Sequence, residues 1–180
     1  VAVASFLTAC QTYVLQANSD AFREVYAWIL GRIATSGWSE PMLMLPYFLI
    51  TVVVVLRHRR ALDVLAVGDE EAAALGINPR RIRATVVIAA SLGAAAAVSV
   101  SGLIGFVGII VPHTVRLAFG NSNRIVLPLS VLFGGAFMVL ADLAARTLVE
   151  PAELPIGVVT AFLGAPFFVL VLRSSRREVW

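Results

Sequence analysis

The chain has 180 residues, 59% of them hydrophobic, and a mean hydropathy of +0.91; one soluble core of this length could not hide that much apolar surface. Its 14 basic and 11 acidic residues leave a small positive balance. All 14 basic residues are arginines, and their distribution between the two sides of the apolar runs reports orientation in a membrane and gives no indication of nucleic acid as a partner.

The first apolar run, about 1–17, reads as a membrane-embedded helix. It begins at the first residue with no basic n-region of a signal peptide, so the chain reads as the C-terminal piece of something longer. Cys10 stands alone within it and reads as a small buried residue, which excludes a disulfide framework within the chain. From Asn18 to Glu40 the sequence is too polar to cross a membrane. Phe22, Val25, Tyr26, Trp28, Ile29 and Ile33 nevertheless recur at near-helical spacing, which predicts an amphipathic helix over about 20–33. It would lie at the external interface, with Trp28 and Trp38 as headgroup-level anchors.

Further runs at about 41–57, 84–100, 103–119, 125–145 and 156–172 bring the count to six passes, each near the lower end of the roughly 17–25 residues a helical crossing needs. The runs are continuous and do not alternate every second residue, so the fold class is all-α, a polytopic helical membrane protein, and not a β-barrel. Alternating sides back from the C-terminus gives one face Arg57, Arg59, Arg60, Arg80, Arg81, Arg83, Arg116, Arg124, Arg173, Arg176 and Arg177, and the other only Arg23, Arg32 and Arg146. The positive-inside bias makes the first face, and with it the C-terminus, cytoplasmic.

Between the second and third runs, the polar stretch Ala66-Val-Gly-Asp-Glu-Glu-Ala-Ala-Ala-Leu-Gly76 sits among six arginines. Asp69, Glu70 and Glu71 favour the N-terminal dipole of a short helix, Gly76 can close it in a left-handed cap, and Asn78-Pro79 supplies the next N-cap and first-turn proline. Short cytoplasmic helices over about 62–80 follow. Such a knob offers a surface to a soluble partner; the bland alternative is a solvated connector.

In the 103–119 run, Gly102, Gly105 and Gly108 fall on one stripe of a continuous helix, which permits close packing, and Pro112, His113 and Arg116 interrupt the inner end. This predicts a short, broken or tilted helix. Gly157, Gly164 and Pro166 loosen the last pass and suit tight packing or a path lining equally. Asp142 and Arg146 stand at i, i+4, with Glu150 and Glu153 beyond; they either neutralise one another or leave Arg146 to dock a partner. Neither His58 nor His113 has a second ligand type at i+3 or i+4, so no metal site is predicted. Ser99 and Ser101 lie at the opposite end of the pass from His113, and a Gly-x-Ser-x-Gly elbow is missing, so the chain does not read as an enzyme.

Three stretches resemble hallmarks of the FecCD-type permeases, ABC importers of vitamin B12, haem and ferric siderophores: Ser101-Gly-Leu-Ile-Gly-Phe-Val-Gly-Ile-Ile-Val-Pro-His-Thr-Val-Arg116, Ala141-Asp-Leu-Ala-Ala-Arg146 and Ala152-Glu-Leu-Pro-Ile-Gly-Val-Val-Thr-Ala-Phe-Leu-Gly-Ala-Pro-Phe167. The resemblance covers nearly the whole chain and corresponds to the last half of a family member, whose fold has about ten helices. It implies that Leu65, Ala66, Gly68, Asp69, Glu70, Ala72, Leu75, Gly76 and Ile77 form coupling helices seated in a cytoplasmic ATPase, and that Arg146 docks glutamates of an extracytoplasmic substrate-binding protein. It also implies that Ser5, Thr8 and Gln11 wall the translocation path, while most of the family's gate residues fall before Val1. The Asp69–Glu71 cluster with Ala72-Ala-Ala74 departs from many relatives, which carry Arg or Ser there, and would retune affinity for the ATPase.

On this resemblance the chain is one permease subunit of a type II ABC importer in a bacterial inner membrane, moving an iron chelate (ferric siderophore or haem) or cobalamin. Its partners are ATPase subunits, a second permease subunit (a copy of itself or a close homologue), the binding protein and membrane lipid. It binds no cofactor itself; ATP and Mg belong to the ATPase. The alternatives are an ATP-independent channel or secondary carrier, which predicts an ionisable centre that the middle of the passes lacks, and a membrane-anchored scaffold, which leaves the repeated glycines unexplained.

Overall fold

A computed structural model describes residues 2–17, 25–31, 33, 37–148 and 154–175. The described elements are helices: α1 (Ala2–Ala17), α2 (residues 25–29), α3 (Ser39–Arg57), α4 (Arg59–Leu65), α5 (Asp69–Ala74), α6 (Pro79–Ser101), α7 (Val107–Phe119), α8 (Asn123–Thr147) and α9 (Ile156–Ser175). The chain is an all-α polytopic membrane protein. α3, α6 and α8, at 19, 23 and 25 residues, are long and apolar enough to cross a bilayer, and the apolar stretches of α1, α7 and α9 are shorter. At 1.5 Å per residue the three long helices reach about 28–37 Å, against roughly 30 Å of hydrocarbon.

α3 and α6 lie against one another, with the Thr51 hydroxyl donating to the Ala89 carbonyl at 2.9 Å. A Cβ at Gly93 would run into the Thr51 side chain, so the missing side chain sets how closely the two helices approach. α8 packs on α7 and α9. Val111, Val115 and Val126 form the α7–α8 core, Ala141, Ala145, Ile156 and Val159 form the α8–α9 core, and Phe137 touches both. The buried residues are small or β-branched, as expected where dispersion between close backbones holds helices together. Large apolar side chains such as Leu132, Leu140, Phe162 and Leu170 point outward, which in water would be an aggregation liability and in lipid is the expected surface.

Several boundaries differ from the hydropathy reading. α6 begins at Pro79 and not near 84, because Asn78 accepts from the Arg81 N–H at 3.1 Å and Pro79 occupies the first turn; capping carries the helix beyond its apolar stretch. α4 and α5 occupy Arg59–Leu65 and Asp69–Ala74 within the expected 62–80 segment, with α4 starting earlier.

α7 begins at Val107 and not at 103, so residues 102–106 are a non-helical connection. Gly102 sits at φ +71 and Phe106 at φ +66. The stripe expected of Gly102, Gly105 and Gly108 therefore does not form. Gly102 and Gly105 lie outside the helix, and nothing lies within 4 Å of a Cβ placed at Gly105 or Gly108. Gly102 instead ends α6 in a left-handed turn, where a Cβ would fall on the Trp28 carbonyl oxygen. Of the expected 20–33 helix, residues 25–29 are helical; residues 18–24 and 32 lie outside the described residues, with Phe22, Arg23 and Arg32 among them.

Candidate functional site

The two ends of the bundle are built differently. At the arginine-rich end, α3 passes into α4 with only His58 between them; its Nδ1–H donates to the Val54 carbonyl at 2.7 Å. Gly68 precedes α5 in an extended conformation, and Asp69, Glu70 and Glu71 fill the first turn of α5, where carboxylates meet the positive end of the dipole. Arg83 of α6 grips Asp69 with both terminal guanidinium nitrogens, Nη1 and Nη2, at 2.7 and 2.5 Å. α5 closes as the sequence predicts. Gly76, at φ +76, donates to the Ala73 carbonyl and Ile77 to the Ala72 carbonyl, both at 2.9 Å, the paired bonds of a Schellman motif.

These local constraints give the segment a defined inside and outside. Ala72 is 0% exposed, whereas Leu75 is 70% and Val67 75% exposed. Leu65, Gly68 and Ile77 are half-buried; Ala66, Asp69, Glu70 and Gly76 are exposed. Two helices too short to span anything thus hold two bare apolar side chains beside an acidic turn, a pattern suited to a protein partner.

One residue of this end was missed by sequence reasoning. Asp63 of α4 accepts the Asn123 backbone N–H at 2.5 Å and the Ser122 hydroxyl at 2.9 Å, with Arg124 Nε at 3.6 Å. It therefore caps α8 from another element, while Ser122, the N-cap, makes no side-chain cap of its own. Desolvation pushes the Asp63 carboxyl up, but the Asn123 and Ser122 hydrogen bonds and the Arg124 charge outweigh it and hold the group below its ordinary range. The sequence offers no local signal for it: Asp63 is an ordinary carboxylate in Arg59–Leu65, and the Asn123 it caps lies 60 residues away.

At the opposite end the contacts are main chain to main chain. Leu103 N–H donates to the Trp28 carbonyl at 3.4 Å, Gly157 N–H to Leu30 at 3.0 Å and Leu154 N–H to Ala145 at 3.1 Å. A Cβ at Gly157 would strike the Leu30 carbonyl oxygen, and one at Gly164 the Phe106 ring. Gly157 and Pro166 also line an apolar cleft of about 540 Å³ with Ile29, Leu103, Ala161 and Phe162. Pro112 is half-buried within α7, and the neighbouring His113 makes an edge contact with Phe167, ring centroids 5.8 Å apart.

Arg146 Nε bonds Asp142 Oδ2 at 2.9 Å on one face of α8; Glu150 and Glu153 lie outside the described residues. Ser5, Thr8 and Gln11 are exposed on α1, and Thr8 Oγ1 bonds back to the Ala4 carbonyl at 2.9 Å. Cys10 is exposed on the same helix, against the expectation of burial. Among the described residues no three His, Cys, Asp or Glu side chains group to hold a metal ion.

A bundle of apolar helices with a small capped insert at one end defines a polytopic helical membrane protein, and comparison with known proteins gives its kind. The model of the FecCD transport family matches residues 1–174, and the chain belongs to that family. It is 42% identical over 173 residues to the uncharacterized ABC transporter permease protein YvrB of Bacillus subtilis, covering 96% of this chain and 49% of that one. It is 42% identical to the cobalamin import system permease protein BtuC of Halobacterium salinarum, covering 99% and 47%. To the hemin transport system permease protein HmuU of Yersinia pestis it is 36% identical, covering 93% and 49%. The chain thus spans about half the length of the curated relatives it matches. A solved structure reported as an inward-facing metal-chelate type ABC transporter superposes with a TM-score of 0.83 at 31% identity, covering 96% of this chain and 56% of that one.

Proposed function

We propose that this chain is part of the permease subunit of an ABC importer that moves an iron chelate (ferric siderophore or haem) or cobalamin across a bacterial inner membrane. The observation that carries this is the insert, in which Asp63 ties α4 to the start of α8, the Gly76 closure and the Arg83–Asp69 pair orient α5, and Val67 and Leu75 are presented outward. In this reading the insert is cytoplasmic and seats in an ATPase subunit that carries the ATP and Mg, and a second permease subunit completes the path. Arg146, at the far end of α8, meets a substrate-binding protein. Membership of a transport family supports the reading. A coupling element of this kind does no chemistry: it makes contacts that differ between two states, and closure of the ATPase shifts the balance of transmembrane arrangements. An ATP-independent carrier would give the clamped insert nothing to do.

The test is ATP-dependent chelate uptake with and without alanine at Gly68, Asp69 and Leu75 together. Loss of uptake with the permease still in the membrane is expected. Undiminished uptake by the triple variant would remove the coupling role, and uptake of haem or cobalamin in place of ferric siderophore would settle the cargo.

A further inference from the structure

The linkage through Asp63 joins parts of the chain 59 and 60 residues apart. Its chemistry differs from that of the other ion pair at the same end. Asp69 and Arg83 are each about half exposed, where a pair contributes little. The Asp63 side chain is 23% exposed and receives two hydrogen bonds as well as a charge, and its donors sit at the N-terminus of α8, where unpaired N–H groups and the helix dipole both favour an anion. α8 then runs unbroken through Pro128 for 25 residues, about 37 Å, to the Asp142–Arg146 pair. Along that length it carries the packing against both α7 and α9. A displacement of α4 therefore has a direct mechanical route to the opposite end of the bundle.

We infer that Asp63 is a positioning residue that fastens the insert to the N-terminus of α8, so that α4 and α8 move as one body and α8 carries the motion of the insert across the membrane. This rests on the coupling role proposed above. The competing role for Asp63 is helix capping alone, in which α8 needs its N–H groups satisfied and is indifferent to who does it.

The two roles separate in the transporter assembled with its ATPase and binding protein in proteoliposomes, offered ferric siderophore, haem and cobalamin in turn and reading ATP hydrolysed per molecule moved of the one that the wild-type complex takes up. Asp63→Ala removes both cap and link. Asp63→Ala combined with Ser122→Asp gives α8 a cap from its own sequence and leaves the link cut. Both complexes are expected to raise the ATP used per substrate about tenfold, the scale of a lost charge-assisted hydrogen-bond set, and Asp63→Asn, which keeps one acceptor oxygen, falls between. A merely destabilised permease would lower hydrolysis and uptake together and leave their ratio unmoved. A wild-type ratio in Asp63→Ala, or its recovery in the Asp63→Ala/Ser122→Asp variant, overturns the inference and leaves a helix cap. Absence of ATP-driven uptake in the wild-type complex would instead overturn the importer reading on which it stands.

Discussion

Where Trp28, Leu30, Leu103 and Gly157 meet, backbone lies on backbone and the contact exists because side chains are missing. At the arginine-rich end, Asp63, Asp69, Arg83 and Arg124 join the elements, and the contacts exist because side chains are charged. The first kind of joint has almost no room to slide, because a shift of an ångström puts carbonyl oxygens into carbon. Of the second kind, the half-exposed Asp69–Arg83 pair can lengthen, exchange partners or be relieved by water, whereas the more buried Asp63, with two hydrogen bonds, holds α4 to α8. One end is thus fixed by close backbone approach, and the other by charged links of unequal exposure.

Gly102 is the most sensitive position of the backbone joint. Gly102→Ala puts a Cβ at φ +71 onto the Trp28 carbonyl oxygen, and a loss of about 2–4 kcal/mol is expected from strain and overlap together. Gly76 has nearly the same backbone angle with nothing within 4 Å, so Gly76→Ala should cost only about 1 kcal/mol, the conformational part alone. Thermal melting of the purified permease would compare them, and equal losses would mean that the close approach to Trp28 contributes nothing. Next in size is Arg146→Glu, which reverses the charge beside Asp142 at the far end of α8. Affinity for the binding protein should fall about tenfold at low salt and less at high salt; unchanged affinity would reduce Arg146 to the neutralising partner of Asp142.

The smallest effect separates the two carboxylates of the arginine-rich end. Asp69→Asn should alter stability by less than about 1 kcal/mol, because its pair with Arg83 is exposed. Asp63→Asn should be more costly, with a penalty that depends on pH. A carboxyl depressed in the folded state stabilises fully above its unfolded value and loses that contribution as pH falls through the folded value. The penalty of Asp63→Asn should hold through neutral and mildly acidic pH and vanish only below the ordinary aspartate value of 3.8. A penalty that fades near neutrality would contradict the geometry around Asp63.

What could be read in advance follows from how far each signal reaches along the chain. The apolar runs announce helices because lipid demands continuous hydrophobicity, and the Gly76 closure and Asn78-Pro79 start were legible because caps are made by residues a few places apart. The start of α7 was not. Its connection turns on Phe106 in a left-handed conformation that nothing local favours, and Gly102 serves a turn against Trp28, not a helix face. Asp63 was illegible for the opposite reason, since its residue type is ordinary and its partners are near it only in space.

The most direct measurement places a photo-activated cross-linker at Leu75, with Leu148 at the opposite end as the control, in the permease assembled with its ATPase and binding protein. Capture of the ATPase from Leu75 and not from Leu148 is the expected result. Capture of the ATPase from Leu148, or of lipid alone from Leu75 while ATP-driven uptake proceeds, would contradict the assignment of the insert as the coupling element.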